Sequence, residues 1–128
     1  MGESLTAKNG EANTIMEQGA VFHINDASVN KQRSALKNIE NLRAEMPDIP
    51  IELVVQGEAI TMVVDRETAL KPELETLLQE GVTVAVCRNT MRGKGISSEQ
   101  LILGVEIVPS AVGELVRRQK QGMAYIKP

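Results

Sequence analysis

Residues 81–97 read GVTVAVCRNTMRGKGIS and hold the chain's only cysteine. Cys87 follows the apolar run Val82, Val84, Ala85 and Val86, and Arg88, Arg92 and Lys94 come after it. A thiol where a strand ends and a helix starts meets oriented backbone N–H groups and the positive end of the helix dipole. An arginine folded back over it would support the anion further, bringing a free-thiol pKa of about 8.5 down toward 7 and making a useful nucleophile. Arg92 is favoured over Arg88 for that contact, because helical side chains lean toward the N-terminus. Asn89 and Thr90 would shape the loop. Two plainer readings stand beside this one. Cysteine is among the most often buried residues, which makes Cys87 a small core hydrophobe, and the arginines make a solvated, charged turn.

His23 is the only histidine. Paired with Cys87 it would give a nucleophile and its base; the alternative is a hydrogen-bonded core residue. Other chemistries have no signature. No P-loop and no G-x-G-x-x-G opens a predicted helix. One histidine and one cysteine offer no zinc spacing, and no acidic pair stands out as a general acid–base couple. The reading therefore expects no metal and no organic cofactor.

The bulk numbers narrow the classes. A chain of 128 residues with 42% apolar content is one ordinary domain with enough core to fold unaided. Mean hydropathy is -0.12 and the pI is near 5.2. With a net charge of -3 the chain has no general attraction for nucleic acid or anionic membrane. Aromatic residues are 2%, too few for base-stacking platforms. A single cysteine excludes an internal disulfide and suits a reducing cytoplasm, the expected location. Residues 1–18 read as a polar, disordered leader without a signal-peptide centre; MGESLT fits a myristoylation pattern only formally.

The elements that must position these residues follow from periodicity. GAVFHIN (19–25) is a buried strand ending at His23 and Asn25. In residues 26–48, Ala35, Leu36, Ile39, Leu42 and Met46 form one helical stripe, with Asp26 or Ser28 as cap and Pro47 as stop. IELVVQG (51–57) is a strand closed by Gly57, while AITMVV is either a short strand or the start of a turn. KPELETLLQEG is a helix that buries Leu74, Leu77 and Leu78. VTVAVC (82–87) is the third strand. SSEQ has capping-box spacing and predicts a short helix through Leu103. VEIVP (105–109) is a strand, Ser110 caps a helix whose Val112, Leu115 and Val116 share a face, and MAYIK is a fifth strand. Alternating strands and helices predict a three-layer α/β sandwich around a mostly parallel sheet of about five strands. Right-handed crossovers then bring HIND, QGE, CRNTMR and VPS to one edge.

Those residues resemble the DsrE/DsrF-like family, also called YchN-like, over roughly residues 20–128. The resemblance rests on VFHIND, NIENL and ELVVQGE, and most strongly on GVTVAVCRNTMRGKGI and GVEIVPSAVGELVRRQKQGMAYIKP. It implies a flavodoxin-like parallel sheet, a single domain over 19–128, and assembly as trimers or hexamers. It also implies a sulfur-relay role, in which a cysteine after the third strand carries sulfur as a persulfide between donor and acceptor proteins. Cys87 matches that cysteine and MRGKG the basic segment after it. The sequence departs from the family at Ala111, where many relatives have glycine, and at Met123, where an aromatic is common. The candidate set is Cys87, supported by Arg88, Asn89, Thr90, Arg92, His23, Asn25, Gly57 and Ser110. Two rivals remain: an oligomeric module that binds a small anion and for which the cysteine is incidental, and a hydrolase or reductase that uses Cys87 with His23.

Overall fold

A computed structural model describes residues 18–128; the expected leader lies outside the described residues. The elements run β1 Ala20–Ile24, α1 Val29–Glu45, β2 Ile51–Val55, a 3₁₀ segment Gly57–Val63, α2 Lys71–Gln79, β3 Thr83–Cys87, α3 Arg88–Lys94, a 3₁₀ turn Ser98–Gln100, β4 Glu106–Val108, α4 Ala111–Lys120 and β5 Ala124–Ile126. All strand pairs are parallel, in the order β4-β3-β2-β1-β5. The expected parallel α/β sheet is present. In flavodoxin's own order, 2-1-3-4-5, the chain reverses between β1 and β3; here it reverses between β1 and β5.

Strand alternation divides the core in two. Phe22, Ile24, Leu53, Val55, Val84 and Val86 point toward α1 and α2, whose Leu36, Ile39, Leu74 and Leu77 complete the larger cluster. Val21, Val54, Ala85 and Cys87 point the other way and are covered by Ala111 and Leu115 of α4. α4 returns from the C-terminal edge of the sheet toward the N-terminal edge, so its first residues lie beside the end of β3.

Several expectations are corrected by packing. Ser28, not Asp26, caps α1; it accepts from the Lys31 N–H at 3.3 Å, while Asp26 accepts from the Ser28 N–H at 2.8 Å. Met46 is that helix's exposed C-cap and not part of its buried stripe, where Gln32 sits instead. AITMVV is part of the 3₁₀ segment and buries Ala59, Ile60, Met62 and Val63. The capping box at Ser97 and Gln100 forms, but the helix it opens is a single 3₁₀ turn, Ser98–Gln100, that stops short of Leu103. Leu101 bridges Val64 and the Ile102 N–H donates to the Val63 carbonyl at 2.8 Å, which pulls the chain out of helical geometry and leaves Leu103 exposed. On α4, Leu115 is buried but Val112 and Val116 are 64% and 48% exposed. The helix faces the sheet with Ala111, Glu114 and Leu115 instead.

Candidate functional site

Cys87 ends β3 and is the N-cap of α3, with extended backbone (φ -73°, ψ 117°). The helix starts at Arg88, directly after the thiol, and Gly95 stops it in the left-handed region (φ 67°). The thiol is 3% exposed. Its sulfur accepts from the Ala111 N–H at 3.4 Å. Asn89 and Thr90 also act on it, without closing a capping hydrogen bond of full geometry. Burial is the largest single influence and pushes the thiol up. The Thr90 N–H, the Thr90 hydroxyl, the Ala111 N–H and the Asn89 N–H push it down, and together they leave it below its ordinary value.

The Thr90 hydroxyl is oriented for this task. Its oxygen accepts from the Gly57 N–H at 2.9 Å, which leaves its own proton free to be donated. Gly57 presents that N–H from a left-handed backbone (φ 60°), the conformation that takes the chain from β2 into the 3₁₀ segment. Ser110 makes no hydrogen bond to the sulfur. Its hydroxyl accepts from the Gly113 N–H at 3.0 Å, capping α4 and fixing where the Ala111 N–H points. The cradle is thus built from residues after β2, β3 and β4, as the convergence of strand ends requires.

The arginines stand elsewhere. Arg88 and Arg92 are exposed and are not among the groups that act most strongly on the thiol. They line a cleft of about 290 Å³ with Met91, Ile96, Ser97 and Ile107. The apolar members of that cleft pack with the larger core cluster, on the opposite face of the sheet from Cys87. The expected guanidinium support of the thiolate is therefore replaced by amides and a hydroxyl. Lys94 pairs with Glu58 at 2.8 Å.

His23 is on the α4 face but engaged on both ring nitrogens. Nε2 meets Gln56 Oε1 at 2.7 Å and Nδ1 meets the Tyr125 hydroxyl at 2.9 Å. With the Gln56 oxygen as acceptor, Nε2 carries the proton and Nδ1 accepts from Tyr125. β2 lies between His23 on β1 and Cys87 on β3, and ideal sheet spacings put their Cα atoms roughly 11–12 Å apart. No Cys–His pair is assembled, so the hydrolase or reductase reading loses its base. Asn25 is exposed and accepts from Lys127 Nζ at 3.0 Å, away from the sulfur.

Sequence reasoning missed the Ala111 N–H, which donates to the sulfur at 3.4 Å. The available signal was Ser110 as a cap directly after a strand, which forces the next amides toward the C-terminal edge. It also missed Gln56 and Tyr125 as the partners of His23. Among the described residues no group of acidic, histidine or cysteine side chains could hold a metal ion, and no helix is long and apolar enough to cross a membrane.

A model of the DsrE/DsrF-like family matches residues 6–128. Comparison with curated proteins finds no match. Among solved structures, MTH1491 from Methanobacterium thermoautotrophicum, described as a protein of unknown function, is 33% identical with a TM-score of 0.82; the match covers 85% of this chain and 97% of that one. The ychN protein from E. coli is 24% identical, with a TM-score of 0.77 and coverage of 87% and 99%. BT1422 from Bacteroides thetaiotaomicron, also of unknown function, is 16% identical, with a TM-score of 0.73 and coverage of 94% and 100%. The last two show a shared fold.

Proposed function

The chain belongs to the DsrE/DsrF-like family, and from that premise we propose that it is a sulfur-relay protein that carries sulfur as a persulfide on Cys87. The observation that supports this most is the sulfur's surroundings. The only cysteine in the chain sits under amide and hydroxyl donors that favour its anion despite burial. A merely structural cysteine in an apolar core would be pushed up.

Each of the two transfers involves three sulfur atoms and no net oxidation. The Cys87 thiolate attacks the outer sulfur of a donor persulfide. The Cys87–S bond forms, the donor's S–S bond breaks, and the donor leaves as a thiolate. An acceptor thiolate then attacks the outer sulfur on Cys87, and Cys87 leaves as a thiolate in turn. Ala111, Asn89 and Thr90 stabilise the Cys87 anion before the first step and after the second, so one cradle assists both attack and departure. Donor and acceptor are proteins or small thiols slim enough to reach a nearly closed sulfur. Association of the chain with itself belongs to this proposal. The exposed Val112, Val116 and Tyr125 supply apolar surface for it.

Intact-mass measurement after incubation with a persulfide donor tests the reading. The wild type should gain the mass of one sulfur atom, lose it to an added thiol, and Cys87→Ser should gain nothing. A wild type that stays unmodified while the donor remains active rejects the carrier function. That outcome would favour the small-anion module, for which the exposed Arg88 and Arg92 cleft is the supporting observation.

A further inference from the structure

Toward the other end of α4 the same face of the sheet buries a charge cluster. Glu52, the second residue of β2, is 2% exposed. Arg118 Nε donates to Glu52 Oε1 at 2.5 Å and to Glu114 Oε2 at 3.0 Å. Arg117 donates to Glu114 Oε1 at 3.0 Å, and Arg118 Nη1 to Gln121 Oε1 at 3.1 Å. In the sheet Glu52 lies between Val21 and Thr83, neither of which titrates, and Tyr125 follows on the far side of Val21. Glu52 Oε2 is buried and has no hydrogen-bond partner, a position that disfavours a charge on that carboxyl. Burial, then the Glu114 carboxylate, push Glu52 up to about 8. The proximity of Glu52, with Arg117 and Arg118, holds Glu114 below its ordinary value. At neutral pH the pair shares one proton, seated on Glu52.

α4 has little else to hold it. The side chains it turns to the sheet are Ala111, Glu114, Leu115 and Arg118. Only two of these are apolar, and one of those is an alanine. We infer that Glu52, Glu114 and Arg118 are positioning residues for the thiol: they clamp α4 to the sheet and so keep the Ala111 N–H on the Cys87 sulfur. The inference concerns the acidity of the thiol and not what it carries, so it stands whether or not sulfur is transferred. Ionisation of Glu52 sets a second buried carboxylate against Glu114, weakens the clamp and draws Ala111 from the sulfur. The thiol then becomes harder to ionise as pH rises, which spreads its titration over a wider range than one independent proton would.

The test is titration of the single thiol by its thiolate ultraviolet absorbance in the folded protein, combined with amide hydrogen exchange at Ala111. The wild type should give a broadened curve and lose Ala111 protection on the alkaline side. Glu52→Gln keeps an oxygen to accept from Arg118 and cannot ionise. It should keep the wild-type protection at neutral pH and give a narrow, single-site curve. Arg118→Met should raise the thiol midpoint by roughly half a pH unit, the loss of part of one hydrogen bond, and deprotect Ala111. Equal curve widths for wild type and Glu52→Gln overturn the inference. So does an unchanged midpoint with intact Ala111 protection in Arg118→Met. Should Arg118→Met fail to fold, the Glu52→Gln comparison alone decides.

Discussion

Thr90→Val separates the cradle from every other account of the thiol. The substitution keeps the branched shape and the backbone N–H but removes the hydroxyl that lowers the Cys87 pKa and accepts from Gly57. A hydrogen bond is worth about 1 kcal/mol net, and more toward a charged partner. Sulfur is a diffuse acceptor, so the lower figure applies, which amounts to about 0.7 of a pKa unit. Thiolate absorbance should show the midpoint moving up by that amount. Alkylation by a small reagent at neutral pH should slow by roughly fivefold. Thr90→Ser should restore both.

The variant also leaves the Gly57 N–H without its acceptor, a cost of about 1–3 kcal/mol, so equilibrium denaturation must accompany the titration. The sign of the pH dependence follows from linkage. A thiol depressed in the folded state adds stability above its unfolded pKa and loses it as pH falls through the folded one. The deficit of Thr90→Val should therefore widen from neutral toward alkaline pH. A midpoint unmoved in a folded Thr90→Val would refute the hydroxyl's role. A larger upward shift in Arg92→Ala than in Thr90→Val would refute the cradle and restore the guanidinium as activator.

Glu52 predicts a separate slope. Its raised carboxyl supplies stability that is fully present below about 4.5 and lost as pH rises through about 8; the melting temperature should fall across that window and flatten in Glu52→Gln. Glu114 shifts the opposite way, so its contribution is lost only as pH falls below about 4.5 and leaves the slope between 4.5 and 8 to Glu52. Light scattering at micromolar concentration should give a mass above 13.9 kDa, and Val116→Glu should reduce it; a monomeric wild type would count against association. Gly57→Ala should cost about 1–2 kcal/mol in chemical denaturation through its left-handed backbone (φ 60°), since a Cβ there meets nothing nearer than 3.9 Å.

What the sequence makes legible is what short-range rules govern. Apolar alternation in AVFHI, IELVV and TVAVC marks buried strands, and Ser28 and Ser110 mark helix starts, because each signal acts within a few residues. The 3₁₀ segment at Gly57–Val63 and the truncated turn after Ser97 are decided by the bridge between Val64 and Leu101, a long-range contact that no local spacing shows. The exposed side of α4 was misread for a related reason. Val112 and Val116 look like core by hydrophobicity, while the sheet beneath offers Glu52, which selects Glu114 and Arg118 as the inward side. Buried charge overruled apolar periodicity there.

The same competition explains why the basic segment after Cys87 misleads. A strand sends successive side chains to opposite faces, so the residue that ends β3 and the helix that follows need not serve the same side of the sheet. Cys87 turns to the α4 face, and Arg88 and Arg92 line a cleft whose apolar floor belongs to the other face. Proximity in sequence joins them; the pleat parts them. The sulfur then depends on groups that are distant in sequence, Gly57 through Thr90 and Ala111 through Ser110, each delivered by a strand ending at the same edge. The arginines remain free to meet a partner's acidic groups without stabilising the thiolate they stand beside. In a relay that division has a consequence. A charge change on α3 should alter how fast a partner is captured, which is sensitive to salt, and leave the thiol's midpoint in place. Arg88→Ala and Arg92→Ala should therefore slow transfer from a protein donor at low salt while small-molecule alkylation proceeds at the wild-type rate. Equal slowing of both reactions would return the arginines to the sulfur.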